Sequence, residues 1–204
     1  MAKGVATFTD VVFLLLIAGV ASAILFYSAA NYGSNLNKRA NELLLDYYAR
    51  QAVRVISTAT IQKDPSCAPD YLLAFLKERA YYGELDDTTT QDAIAKVLGN
   101  AMKPLSTAYD YALVITLGTG DSAEAYIFSW YHDPSSGFRP VENHCKKTMG
   151  DFRGWLSGFA GRVPVYSYSV PLRFKLQSGG SDVYVIGRMH MVIWPAGSSI
   201  TSPC

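Results

Sequence analysis

The side chains best suited to nucleophilic or metal chemistry are few in this sequence and lie far apart. The three histidines and three cysteines are His132, His144, His190, Cys67, Cys145 and Cys204. Only His144 and Cys145 are adjacent, whereas structural zinc sites draw their ligands from several closely spaced residues. We therefore predict no metal site.

Sequence motifs for other kinds of catalysis are also missing. The chain has no Gly-x-Ser-x-Gly elbow, no phosphate loop ending in Gly-Lys-Ser/Thr and no dinucleotide-binding glycine pattern. Asp86 and Asp87 are paired carboxylates, but they stand where a helix is predicted to begin, and acidic residues stabilise that end of a helix. We predict no catalytic residue, no cofactor and no enzyme activity.

The cysteines leave the disulfide pairing open. In an oxidising compartment, three cysteines form at most one intramolecular bond. A Cys67–Cys145 bond would tie residues 133–162 to the helical layer, whereas a Cys145–Cys204 bond would hold the C-terminal tail. A third alternative leaves all three thiols unpaired. We favour Cys145–Cys204, because chain ends are usually mobile unless something holds them.

Charge is distributed unevenly along the chain. The 204 residues are 50% hydrophobic but only 17% charged, with a net charge of +1, and soluble domains average about 25% charged residues. No charged residue occurs between Asp10 and Lys38. A near-neutral chain without a basic patch is a poor nucleic-acid binder, so no nucleic-acid partner is expected.

The uncharged segment has three interpretations. It is longer than the roughly 20 residues that a membrane-spanning helix needs, and its apolar part, Val11 to Phe26, contains no proline. It could be a cleaved signal peptide, since Ala21-Ser22-Ala23 fits the small-residue cleavage pattern. It could also be a plain membrane anchor, or an anchor that is at the same time an assembly helix.

Small residues favour the third interpretation. They recur at spacings of three, four and seven, which places them near one side of a helix, and small residues let helices approach closely. Glycine and alanine are also frequent in membrane helices generally. The candidate assembly residues are Ala18, Gly19, Ser22, Ala23, Ala29 and Gly33, together with Asp10, which either stabilises the helix N-terminus or meets the terminal amine of a neighbouring copy.

The first forty residues resemble an archaeal type IV pilin. The features shared are a short basic leader ending Lys3-Gly4, an acid ahead of the apolar run, and a helix that continues into a domain. The resemblance implies that a peptidase cuts after Gly4 and leaves Val5 as the first residue. It also implies that the helix lies in membrane lipid before assembly and that the subunits then associate with one another into a filament.

The rest of the chain predicts an α+β domain. Apolar residues at helical spacing extend the first helix to about Gln62, and two further helices follow at Asp70–Arg79 and from Asp86 to Pro104. Alternating residues then predict two hairpins and an antiparallel sheet of about four strands. We place the leader and the membrane-spanning and assembly helix in residues 1–37, and the α+β domain, outside the cell, in residues 38–204.

Two functions are consistent with these features. The first is a structural subunit of a cell-surface, type IV pilus-like filament that assembles through its N-terminal helix. The alternative is a single-span, membrane-anchored binding domain or accessory subunit of a larger membrane complex. Its contact surface would be residues 133–162, with Arg139, His144, Trp155 and Phe159.

Overall fold

A computed structural model describes residues 8–62, 68–137, 139–159, 163–198, 200 and 203–204. The side chains of residues 8–18, Ala21 and Pro134 lie outside this description. The chain divides into two compact units, Met1–Leu43 and Leu44–Cys204. The boundary predicted from the sequence lies between residues 37 and 38.

The first helix, α1, runs from Phe8 to Thr58 and belongs to both units. In the part of the chain that the structure describes, no helix is sufficiently long and apolar to cross a membrane. The described apolar run ends near Phe26, and polar residues such as Ser28, Asn31 and Asn35 follow it in the helix. The predictions of a membrane span and of a single-span protein with its domain outside the cell were therefore wrong.

In the second unit, the end of α1 packs through one stripe of side chains. Leu45, Ala49, Ala52, Val53 and Ile56 are buried, and their spacing of three, four and seven residues places them on one helix face. The helix ends at Thr58, and Ala59 N–H donates to the Ile56 carbonyl in the final turn.

Two helices follow a short strand pair. Strands β1 (Thr60–Ile61) and β2 (Asp70–Tyr71) are antiparallel and precede α2 (Leu72–Tyr82). Helix α2 stops at Gly83, whose φ of 69° suits a residue without a Cβ. Helix α3 (Thr88–Met102) begins where Asp87 accepts a hydrogen bond from the Thr90 backbone N–H at 3.0 Å. Of the predicted pair Asp86-Asp87, Asp87 therefore caps the helix.

The second unit is built on a five-stranded antiparallel sheet. The strands are β3 (Tyr109–Leu117), β4 (Glu124–Asp133), β5 (Arg139–Thr148), β6 (Tyr166–Ser178) and β7 (Ser181–Pro195). Their order across the sheet is β5-β4-β3-β7-β6. A 3-10 helix, Pro134–Ser136, lies between β4 and β5, and α4 (Met149–Ser157) follows β5.

The central part of the sheet is covered on both faces. Tyr111, Leu113 and Ile115 pack in one core with α1, α2 and α3. The alternate residues Ala112 and Val114 pack in a second core. The members of this second core include Ile127, Met149, Phe152, Trp194 and Ile200. Because both sides are buried, β3 is almost inaccessible along its whole length.

The described residues correct the predicted count of elements. They contain four α-helices rather than three, and a five-stranded sheet with a separate strand pair rather than about four strands. The missed strand, β5, is rich in charged and polar residues because it lies at the sheet edge and pairs only with β4. The fold is α+β with an antiparallel sheet, as expected, but without the predicted membrane span.

Gly187 lies where β7 passes closest to its neighbours. A Cβ at this position would be 1.9 Å from the Thr116 carbonyl oxygen and 2.8 Å from Cε2 of Phe174. Since one of these atoms is backbone in the central strand, the sheet itself would have to shift. We expect Gly187→Ala to lower the free energy of unfolding by about 1–3 kcal/mol, the usual cost of overpacking a core, measured by urea unfolding.

Gly154→Ala is the matched control for this substitution. Gly154 lies within α4, and no atom is within 4 Å of the Cβ that alanine would add. Alanine is the better helix former, so this variant should be at least as stable as the wild type. If Gly187→Ala and Gly154→Ala lose the same free energy of unfolding, close packing is not the reason for glycine at position 187.

Candidate functional site

The three histidines occupy three separate places. Nδ1 of His132 lies 2.7 Å from Oδ1 of the buried Asp110. His190 is partly buried, and burial lowers its pKa to about 4, with a further contribution from Arg188. His144 lines a cleft that is described below. The residues that the structure describes contain no cluster of three His, Cys, Asp or Glu side chains able to hold a metal ion.

Two of the three cysteines are joined. Cys145 in β5 forms a disulfide with Cys204, and their Cα atoms are 5.8 Å apart. This is the pairing of the C-terminal tail that the sequence analysis favoured over Cys67–Cys145. Cys67 lies outside the described residues, as do Lys3, Gly4 and Val5 of the candidate leader.

In the first unit, α1 carries large apolar side chains that are exposed. The fractional exposures of Val20, Ile24, Leu25, Phe26 and Tyr27 lie between 57% and 77%. Successive residues of a helix are 100° apart, so the four residues from Ile24 to Tyr27 point to every side of α1. Such an apolar surface is unusual unless it contacts something.

The small residues on this helix share one side. At 100° per residue, Gly19, Ser22, Ala23, Ala29 and Gly33 fall within about 120° of the circumference. All are exposed except Gly33, which is half-exposed, and a Cβ added at either glycine would meet no atom within 4 Å. We call these five residues the small-residue stripe. The helix contains Asp10 and Ala18 as well, but their side chains lie outside the described part.

A cleft of about 770 Å³ lies in the second unit between α3 and the sheet. Its floor includes Tyr111, Trp130 and Glu142, which are directly opposite one another on β3, β4 and β5. Gly99 of α3 faces this row, and a Cβ there would be 3.2 Å from a carboxylate oxygen of Glu142. Strand register therefore brings together three residues that are distant in the sequence.

Opposite charges line the cleft in equal number. Asp92 and Glu142 contribute two carboxylates, and Lys96 and Lys103 contribute two ammonium groups. None of these four side chains forms an ion pair with another described residue. Burial, and secondarily the charge of Glu142, raises the pKa of Tyr111, so its phenol stays protonated and can both donate and accept hydrogen bonds.

A second charged cluster has a structural explanation. Lys146 Nζ lies 2.9 Å from Glu124 and 3.7 Å from Asp86, and its side chain lies over the ring of Tyr126. Burial and a hydrogen bond to Glu124 raise the pKa of Tyr126 to about 12. The cluster joins β4 and β5 to the segment before α3, and its charges are already paired.

The candidate contact surface in residues 133–162 is divided by the fold. Trp155 packs against Phe152, Phe159 and Trp194 at the second core. It is therefore partly buried and does not belong to an exposed contact surface. Arg139 is exposed on β5, while His144 lines the cleft. Sequence reasoning did not find the other cleft residues, because no local motif connects α3 with three strands.

The structure thus has an uncharged, apolar helical segment and an α+β domain in which the central strand β3 of the antiparallel sheet is buried on both faces. No protein-family model, curated protein or solved structure matches the chain.

Proposed function

We propose that the protein is a structural subunit whose copies assemble through the N-terminal part of α1 into a filament of the type IV pilus kind. The observation that carries the proposal is the exposed apolar surface of α1, with large apolar side chains on every side and the small-residue stripe along one of them. Burial of such a surface is favourable by about 25 cal/mol per Å².

Copies of the same chain are the partners that this surface favours. A single groove would cover only one side of the helix, whereas a bundle of helices covers several. The segment from Val11 to Asn37 has no charged residue, so identical helices can pack together without burying like charges. Small residues let helix backbones approach closely, which gives the stripe a role in such a bundle.

Introducing a charge into this surface tests the proposal. We expect Ile24→Glu to reduce polymer formation more than tenfold, because every copy would carry an unpaired carboxylate into the bundle. Assembly is measured by sedimentation and by electron microscopy of the full chain. Ile186→Glu is the control, since Ile24 and Ile186 are 60% and 62% exposed but Ile186 lies in β7. If both variants polymerise like the wild type, the proposal is wrong.

A second pair of variants separates ordered assembly from simple aggregation. Ser22 lies in the small-residue stripe, and Ser28 lies outside the stripe, about 120° around the helix from Ser22. Ser22→Leu and Ser28→Leu add the same apolar volume, so non-specific aggregation would increase in both. Close helix packing predicts that Ser22→Leu loses regular filaments while Ser28→Leu keeps them.

A further inference from the structure

We infer that the cleft between α3 and the sheet binds a neutral, hydroxyl-rich ligand, namely a saccharide unit. The cleft lies wholly in the second unit, and the inference does not depend on assembly through α1. Its volume of about 770 Å³ is within the range of about 300–1,000 Å³ that is typical of small-molecule sites.

Trp130, which lines the cleft, has a polar atom without a partner among the described residues. Its Nε1 is buried, and no described residue accepts a hydrogen bond from it. An indole N–H can only donate, and leaving a buried donor unpaired is unfavourable. A ligand oxygen that reaches this N–H from the cleft would supply the acceptor.

The charges of the cleft favour a neutral ligand over an ionic one. Two carboxylates and two ammonium groups line it, so it offers no excess of positive charge for a phosphate and no excess of negative charge for a cation. The same groups are strong hydrogen-bond donors and acceptors. A molecule with many hydroxyl groups can use both kinds, since each hydroxyl donates and accepts.

The aromatic residues supply the other part of saccharide recognition. Trp130 lies beside the buried Tyr111 on the neighbouring strand, and the partly exposed indole gives the floor apolar area on which the C–H face of a sugar ring can lie. Glu142, next to Trp130 in the same row, then accepts hydrogen bonds from the hydroxyl groups at the ring edge. Sites built to bind hydroxyl groups discriminate strongly against ligands that lack them.

Calorimetric titration of the full chain tests the inference. The probes are a panel of neutral mono- and disaccharides, with inorganic phosphate and glutamate as charged comparisons. We expect saturable binding of at least one neutral saccharide and none of the charged probes. Trp130→Phe keeps an aromatic ring but removes the N–H donor, and it should weaken binding at least tenfold. Binding of only the charged probes, or of no probe, would overturn the inference.

Gly99 and Gly154 provide a matched pair of variants that separates the cleft from stability. Gly99→Ala places a methyl group 3.2 Å from the Glu142 carboxylate and should weaken saccharide binding at least fivefold. Gly154→Ala adds the same methyl group to α4, in open space. Both variants should melt at or above the wild-type temperature, because alanine favours helix. Equal saccharide affinity in the two variants would exclude the cleft as the binding site.

Discussion

Replacing His132 with alanine should lower the free energy of unfolding by about 1–3 kcal/mol, the cost of leaving a buried polar group without its hydrogen-bond partner. Asp110 is completely buried, and His132 Nδ1 lies 2.7 Å from its Oδ1. The other carboxylate oxygen accepts no hydrogen bond from the described residues. Without the imidazole, the carboxylate would be left in the core with no donor. Urea unfolding of the full chain measures the loss.

Two controls accompany this prediction. One makes the same substitution at another histidine, and the other also replaces Asp110. His144→Ala removes an equivalent side chain from the cleft, where no described ion pair is lost, and should cost less than about 1 kcal/mol. The double variant Asp110→Asn/His132→Ala replaces the buried carboxyl group with a neutral amide and should be more stable than His132→Ala alone. If the double variant is less stable than His132→Ala, the carboxyl group left without its partner is not the cause.

The contact between Asp110 and His132 also shows what sequence patterns could not predict. In the sequence, Asp110 alternates with Tyr109 and Tyr111, a pattern that is typical of a strand with one face in solvent. The structure buries that face under α4 and the C-terminal segment. Alternation identifies the two faces of a strand but does not reveal what covers them.

The elements with strong local signals were predictable. The start of α3 at Asp87 and the strands β3, β4, β6 and β7 follow from capping, alternation and glycine-rich turns. Strand β5 was not predictable in this way, because its sequence RPVENHCKKT has few apolar residues. Edge strands depend on one neighbour and face solvent, so the hydrophobic pattern that marks a strand is weak there.

The cleft depends on long-range register and could not be predicted from local motifs. Tyr111, Trp130 and Glu142 form a row only because β4 pairs with both β3 and β5 at these positions. A shift of one residue in either pairing would turn a side chain to the opposite face. The exposed apolar surface of α1 is different, since it depends on consecutive residues of one helix and is visible in the sequence.

Breaking the Cys145–Cys204 disulfide is the second change expected to have a large effect. The bond closes a loop with a sequence separation of 59 residues, and loop-closure entropy for this length gives about 4 kcal/mol of stabilisation. The tail that it holds also contributes Ile200, which is completely buried in the second core beside Trp194. We therefore expect Cys204→Ser to lower the urea midpoint substantially.

A Cys67→Ser background makes the test unambiguous, because it removes the thiol that could exchange with the bond. In that background, the oxidised protein, the same protein under reducing conditions and the Cys204→Ser variant are compared. Reduction and the Cys204→Ser substitution should lower the urea midpoint by the same amount. Reducing agent should have no effect on the urea midpoint of the Cys204→Ser variant. If the oxidised and reduced proteins unfold at the same urea concentration, the bond does not stabilise the fold, and packing of Ile200 alone must retain the tail.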